Sequence, residues 1–143
     1  MTYPFTVSLV DWHDGDALLK QVREAVFIRE QGVPPELEWD GLDENCCHAL
    51  VLSCRDKAIG CGRILSCGHI GRIAVLPEWR KQKVGTAIME ALLDYAHVQS
   101  YKQVDMNAQT HAVPFYRGFG FVEEGSVFMD AGLPHIRMRL LVR

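Results

Sequence analysis

The chain contains no long apolar run. Nothing in its 143 residues approaches the roughly 20 consecutive hydrophobic residues that a membrane-spanning helix needs. Nor is there an excess of basic charge. With 15 Lys and Arg against 18 Asp and Glu, the net charge is −3 and the pI near 6.0, which excludes the basic footprint of a nucleic-acid binder. There is no Cys-x-x-Cys pair. The five cysteines, at 46, 47, 54, 61 and 67, are odd in number, and adjacent Cys46 and Cys47 cannot readily chelate one tetrahedral ion. Reduced cysteines and no metal are therefore expected. The N-terminal run MTYPFTVSLVDWHDGD has no basic start and meets acids early, unlike a secretory leader. No repeat, linker or low-complexity stretch divides the chain. These absences point to a cytoplasmic protein folded as a single domain over residues 1–143, with no nucleic-acid or membrane partner. What is present, 48% hydrophobic and 23% charged residues, is the composition of a globular protein large enough to bury a core unaided.

Hydrophobic periodicity places the elements. Residues 4–10 alternate as a strand. Asp14 or Asp16 can cap a helix running to about Gln31, with Leu18, Leu19, Val22, Ala25 and Val26 on one face. Gly32, Pro34 and Pro35 stop it. Residues 33–46 read as a polar loop. Three strands at 48–54, 58–66 and 69–76, joined by short turns, form a meander that ends at Pro77. An amphipathic helix follows from about Val84 to Val98, then a strand at 103–108 expected to run parallel to the strand before the helix. Thr110 can cap a short helix to about Arg117, and a closing strand pair, 121–128 and 135–142, turns at Gly132-Leu133-Pro134. The order is that of an α+β fold: a mixed sheet with helices on its faces.

Chemistry concentrates in IGRIAVLPEWRKQKVGTAIMEALLDYA, residues 70–96. A strand ends at Pro77, and Arg80-Lys81-Gln82-Lys83-Val84-Gly85-Thr86-Ala87 leads into a helix. Helix N-termini expose unpaired backbone N–H groups and carry partial positive charge. Gly85 and Ala87 keep the first turn clear, so phosphate oxygens can approach the backbone. Arg80, Lys81 and Lys83 add cationic charge with no acid between them. The site suits a diphosphate. It is not a Walker A loop, since G-x-x-x-x-G-K-[ST] is absent, and Gly60-x-Gly62 has no third glycine at 65 to make a dinucleotide fingerprint.

Gln82-x-x-Gly85-x-Ala87 resembles the Q/R-x-x-G-x-G/A motif of the GNAT superfamily of N-acetyltransferases. The preceding Arg72-Ile73-Ala74-Val75 is similar to that family's bulged fourth strand, and AQTHAVPFYRGFGF at 108–121 to its second signature, through Phe115, Tyr116, Gly120 and Phe121. The resemblance extends over nearly the whole chain. Within the superfamily, FIREQGVPPELEWDGLD (27–43) and AGLPHIRMRL (131–140) resemble the ElaA-like branch.

The resemblance implies a mixed, mostly antiparallel central sheet with helices on both faces and a splayed pair formed by the fourth and fifth strands that holds acetyl-CoA. It assigns the backbone around Ile73, Ala74 and Val75 to the pantetheine and acetyl carbonyl. The diphosphate falls to residues Arg80, Lys81, Gln82, Lys83, Val84, Gly85, Thr86 and Ala87. Phe115 belongs with the cofactor-binding set. Gln109 stands where the family often has Asn, and Asn107 is near enough to share its task on the pantetheine arm. Tyr116 is the general-acid candidate, since a phenol with an ordinary pKa near ~10 is protonated at neutral pH and can donate to the leaving thiolate. The implied activity is direct transfer of an acetyl group from acetyl-CoA to a primary amine in a ternary complex.

For the proton on the amine, Glu30 at the end of the first helix and His48 at a strand start are the first candidates, with His111 third. Residues 30–44 carry Glu30, Glu36, Glu38, Asp40, Asp43 and Glu44 without a Lys or Arg, which favours a small cationic acceptor. Trp39 and Trp79 could line its pocket or simply pack. A non-catalytic acyl-CoA sensor and an interaction module on the same fold are the alternatives, and a homodimer is compatible with the family.

Overall fold

The computed structural model describes residues 3–142. Strand β1 (Phe5–Val10) leads into helix α1 (Trp12–Arg23). The cap is Asp11, whose carboxylate accepts the Asp14 N–H at 2.8 Å, so the helix starts earlier than a cap at Asp14 or Asp16 would place it. It buries Leu19 and Val22. From Glu24 to Glu30 it continues as a π-helix, a widened geometry that single-sequence periodicity does not reveal and that frequently marks functional sites.

Residues 33–46 are not a plain polar loop. They hold a short helix α2 (Pro35–Glu38) and a 3₁₀ turn (Asp43–Asn45), and Glu38 and Asp43 are buried. The meander follows as β2 (Cys47–Ser53), β3 (Ala58–Ile64) and β4 (His69–Val75). Helix α3 (Val84–Val98), strand β5 (Gln103–Gln109) and short helix α4 (Val113–Arg117) come next. Thr110 does not cap α4. It opens a 3₁₀ turn that runs into the helix, with Pro114 in the first turn. Strands β6 (Val122–Asp130) and β7 (Leu133–Leu141) close the chain. Their turn is Ala131-Gly132, both at positive φ (51° and 78°), one residue before the expected Gly-Leu-Pro.

All seven strands join one sheet in the order β1-β2-β3-β4-β5-β7-β6. Every pairing is antiparallel except β4 with β5. The two faces can be told apart by what they touch. A Cβ on Gly60 or Gly62 would collide with Val84, Ile88 or Leu92 of α3, so those glycines let α3 lie close on one face. Arg63 lies on the opposite face, where it reaches Asp40 and Asp43 beside α1. The core fills the α3 side with Ile88, Met89, Leu92, Met106 and Met138 and the α1 side with Leu19, Val22 and Val26. No helix among the described residues is long and apolar enough to cross a membrane.

Candidate active site

The site is a consequence of one failed strand pairing. β4 and β5 pair only at His69↔Asp105 and Ile70↔Met106. Beyond these the strands separate, and from Gly71 onward the edge of β4 facing β5 has no strand partner. A bulge lies at the same place: Cys61 pairs with Ala74 and Arg63 with Gly71, so three steps of β4 oppose two of β3. Arg72, inside the bulge, has φ of 53°. A non-glycine residue in that left-handed region is strained and persists only where its surroundings fix it. The splay opens a cleft of about 1070 Å³, lined by β4 from His69 to Val75, by Gly85, Phe115 and Tyr116, and by the end of the π-helix.

At one end of the cleft lies the start of α3. Lys81 and Lys83 adopt positive φ (62° and 74°), and no side chain caps the helix. Residues 80–83 are exposed. The Gln82 amide turns back to donate to the Glu78 carbonyl at 2.9 Å. The Phe115 ring lies 3.3 Å from where a Cβ on Gly85 would stand, so α4 closes over the first turn of α3 and a side chain there would press on the ring. Val84 and Ala87 are buried and anchor the helix, and Thr86 is half-buried beside them. An uncapped N-terminus, two exposed lysines and a glycine at the contact fit the phosphates of a CoA-type molecule.

Tyr116 lines the cleft and is 8% exposed. Burial pushes its phenol up to about 12, so it carries its proton throughout the neutral range. Among the described residues no hydrogen bond engages its hydroxyl, which leaves the donor available. Its neighbours are aromatic: Phe115 at 5.1 Å and Phe121 at 6.3 Å between ring centroids, both edge-on.

Other expected residues meet different partners. Glu30 and Arg80, read as base and phosphate ligand, hold each other in a two-pronged ion pair of 2.6 and 2.7 Å. The Arg80 hydrogen bonds hold the Glu30 carboxyl below its ordinary range, and Arg80 also donates to the Val75 carbonyl. The pair ties the π-helix to the end of β4. Gln109 donates to Gln31 at 3.0 Å, a second tie from β5 to the same helix end. Asn107 is exposed on the cleft wall. His111 also lines the cleft.

His48 is not brought to the cleft. It is 1% exposed, packs on Trp12 at 5.4 Å and bonds through Nε2 to the Asp43 carbonyl. Burial lowers its pKa. Trp39 and Trp79 also pack, over Arg23 at 5.0 Å and against Phe5 at 6.5 Å.

The acidic segment does not face the cleft as open negative charge. Three of its six carboxylates, Glu38, Asp40 and Asp43, close on three arginines from distant parts of the chain. Arg23 donates to Glu38 at 2.8 Å and to Asp43 at 2.6 Å. Arg63 reaches Asp43 at 2.8 Å and Asp40 at 2.5 Å. Arg72, from the β4 bulge, lies 3.0 Å from Glu38 and 3.2 Å from Asp40. Three positive and three negative groups make a neutral, largely buried wall. Burial alone would raise the Asp40 carboxyl, but Arg63, the Leu42 amide and Arg72 bring it down to about 2. Nothing local joins these three arginines to the loop. Two signals are visible in the sequence, an arginine inside an otherwise apolar strand (Arg63) and another on the buried face of a helix (Arg23).

A GNAT acetyltransferase domain model matches residues 17–142. The chain belongs to the GNAT acetyltransferase family. It is 41% identical over 121 residues to the N-acetyltransferase YjcF of Bacillus subtilis, covering 82% of this chain and 86% of YjcF. To ElaA of Escherichia coli it is 34% identical over 128 residues, covering 84% and 83% of the two chains. The crystal structure of E. coli ElaA superposes with a TM-score of 0.84 at 30% identity, over 94% of this chain and 98% of that one. That of an acyl-CoA N-acyltransferase from Pseudomonas aeruginosa gives 0.85 at 28% identity, over 94% and 98%. The GNAT fold expected from the sequence is the fold found, and this GNAT protein is an N-acyltransferase with a CoA-type cosubstrate.

Proposed function

We propose that this GNAT enzyme moves an acetyl group from acetyl-CoA to a primary amine by direct attack in a ternary complex. The observation that carries the reading is the continuity of the cleft. A single opening runs from the uncapped, lysine-flanked start of α3, past the unpaired edge of β4, to the largely buried Tyr116. Acetyl-CoA would supply the activated thioester. Lys81, Gln82, Lys83 and the backbone of Val84, Gly85 and Thr86 would hold its diphosphate, with Phe115 and Ala87 shaping the contact. The free edge of β4 at Ile73, Ala74 and Val75 would align the pantetheine arm and offer N–H groups to the carbonyl oxygen as charge develops there. Asn107 and Gln109 would bound the arm from β5. Tyr116 would give its proton to the sulfur as the C–S bond breaks.

Glu30 is a poor proton acceptor while Arg80 holds it, and Arg80 is engaged by Glu30 before any phosphate arrives. The arginine pairing of Glu38, Asp40 and Asp43 removes the basis for a specifically cationic acceptor, so the acceptor class is primary amines.

The test is calorimetric titration with acetyl-CoA, with CoA and ATP as controls, followed by mass spectrometry of a panel of amines incubated with enzyme and acetyl-CoA. Micromolar binding of acetyl-CoA and CoA with much weaker ATP, and a mass gain on at least one amine, is the expected result. Absence of acetyl-CoA binding would overturn the reading.

A further inference from the structure

The reaction needs a group to take the proton that the attacking nitrogen sheds, and the first two expected candidates do not serve, while the third, His111, is exposed on the cleft and among the described residues no hydrogen bond orients its ring. Glu30 is held by Arg80, and His48 is buried away from the cleft. Among the remaining titratable groups lining the cleft, one histidine is fixed in place with a nitrogen to spare. His135 is the third residue of β7 and is 9% exposed. Its Nδ1 lies 2.8 Å from the Leu133 carbonyl oxygen. A carbonyl only accepts, so Nδ1 carries the hydrogen, and in the neutral ring Nε2 then bears the lone pair. The Phe128 ring stacks on the imidazole at 6.0 Å, inclined by 25°, and limits its rotation.

The strand register decides which side of the cleft this lone pair occupies. His135 pairs with Gln109, at the far, splayed end of β5. The Gln109 side chain reaches Gln31 beside the π-helix, so both residues of this pair face the α1 side of the sheet. Tyr116 comes from α4, which meets α3 through Phe115 and Gly85 on the opposite side. Acid and base candidates thus stand on opposite faces of the splay, the tyrosine with the cosubstrate cradle and the histidine where a second substrate has room. His69 is oriented too, by Asp105 at 2.7 Å, but it sits at the closed end, where β4 and β5 are still paired.

We propose that His135 is the proton acceptor for the attacking amine, an assignment that rests on the acetyl-transfer reading above. The neutral amine nitrogen forms a bond to the carbonyl carbon and becomes positively charged. That nitrogen loses its surplus proton to Nε2 of His135. The C–S bond breaks, and the sulfur takes the Tyr116 proton. The products are the N-acetylated amine and CoA thiol, and solvent resets the imidazolium and the phenolate. No further reactant is required.

The test compares wild type, His135→Asn and His135→Ala with acetyl-CoA and with spermidine, glucosamine and kanamycin as acceptors. Asn can keep the hydrogen bond to Leu133 but supplies no base, so it guards against misfolding of the Ala variant. Both variants are expected to bind acetyl-CoA in calorimetry as wild type does, and to turn over about 10²-fold or more slowly. Added imidazoles should restore turnover in His135→Ala, more strongly as the basicity of the added imidazole rises. Wild-type turnover in His135→Asn would overturn the proposal, as would rescue indifferent to basicity. Acetyl-CoA binding without acetylation of any of the three amines by wild type would instead overturn the transfer reading, and the proton acceptor with it.

Discussion

The two ends of the cleft follow opposite electrostatic plans. At the start of α3, positive charge is exposed and the helix end uncapped, with Lys81 and Lys83 in solvent. Under the π-helix, charge is buried and neutralised, three arginines against three carboxylates. A flexible polyanion is well met by hydrated groups and backbone N–H donors that change partners cheaply. A wall that must keep its shape is better made of ion pairs withdrawn from water. There, removing one member leaves an uncompensated buried charge. The same cleft therefore has one adaptable end and one rigid end.

The largest expected effect would break the rigid end. Arg23→Ala leaves Glu38 and Asp43 short of their cation at a position 1% exposed, and should cost about 3–5 kcal/mol in urea unfolding. Retention of wild-type stability would show that the wall does not depend on its ion pairs. Between the two ends, Tyr116→Phe should lower turnover about 10²-fold while acetyl-CoA affinity in calorimetry is unchanged. At the adaptable end, Gly85→Val pushes a side chain into Phe115 and the phosphate approach. Acetyl-CoA binding should weaken about tenfold with little change in stability. Lys81→Gln and Lys83→Gln should each weaken it only about threefold, an effect that fades as salt rises.

The smallest effect sharpens the contrast by pH. Asp40 has its carboxyl lowered from 3.8 to about 2. A lowered carboxyl contributes stability fully above its unfolded value and loses it as pH falls through the folded one. The urea midpoint should therefore decline between pH 4 and 2, and the Asp40→Asn variant should show less of that decline.

Much of this fold was legible because its elements are local. α3 was placed at Val84–Val98 from its apolar spacing alone, and the meander and parallel β5 followed from strand runs and connection length. The helix start at Val84 was legible for the same reason: the cations, the glycine and the first helical turn of 80–87 are consecutive in the chain. The acidic segment was legible only as composition, since the pairing of Glu30, Glu38, Asp40 and Asp43 with arginines is tertiary. Six carboxylates without a Lys or Arg look like open negative charge when only neighbours in sequence are considered. The neutralising arginines come from α1, β3 and β4, 15 to 34 residues away along the chain. His135 was not legible because its bond to Leu133 and its place opposite Gln109 appear only once β7 is paired with β5.

What the sequence determined by itself was the order of the elements and the family, because each is carried by residues within a turn or two of one another. Tertiary structure decided the rest. It paired Glu30 with Arg80, hid His48, closed the acidic segment on three arginines and set His135 opposite Gln109. The reason is physical. The charge state and reach of a side chain depend on what lies within a few ångströms of it, and in a seven-stranded sheet with one splayed pair those neighbours are chosen by register, not by position in the chain.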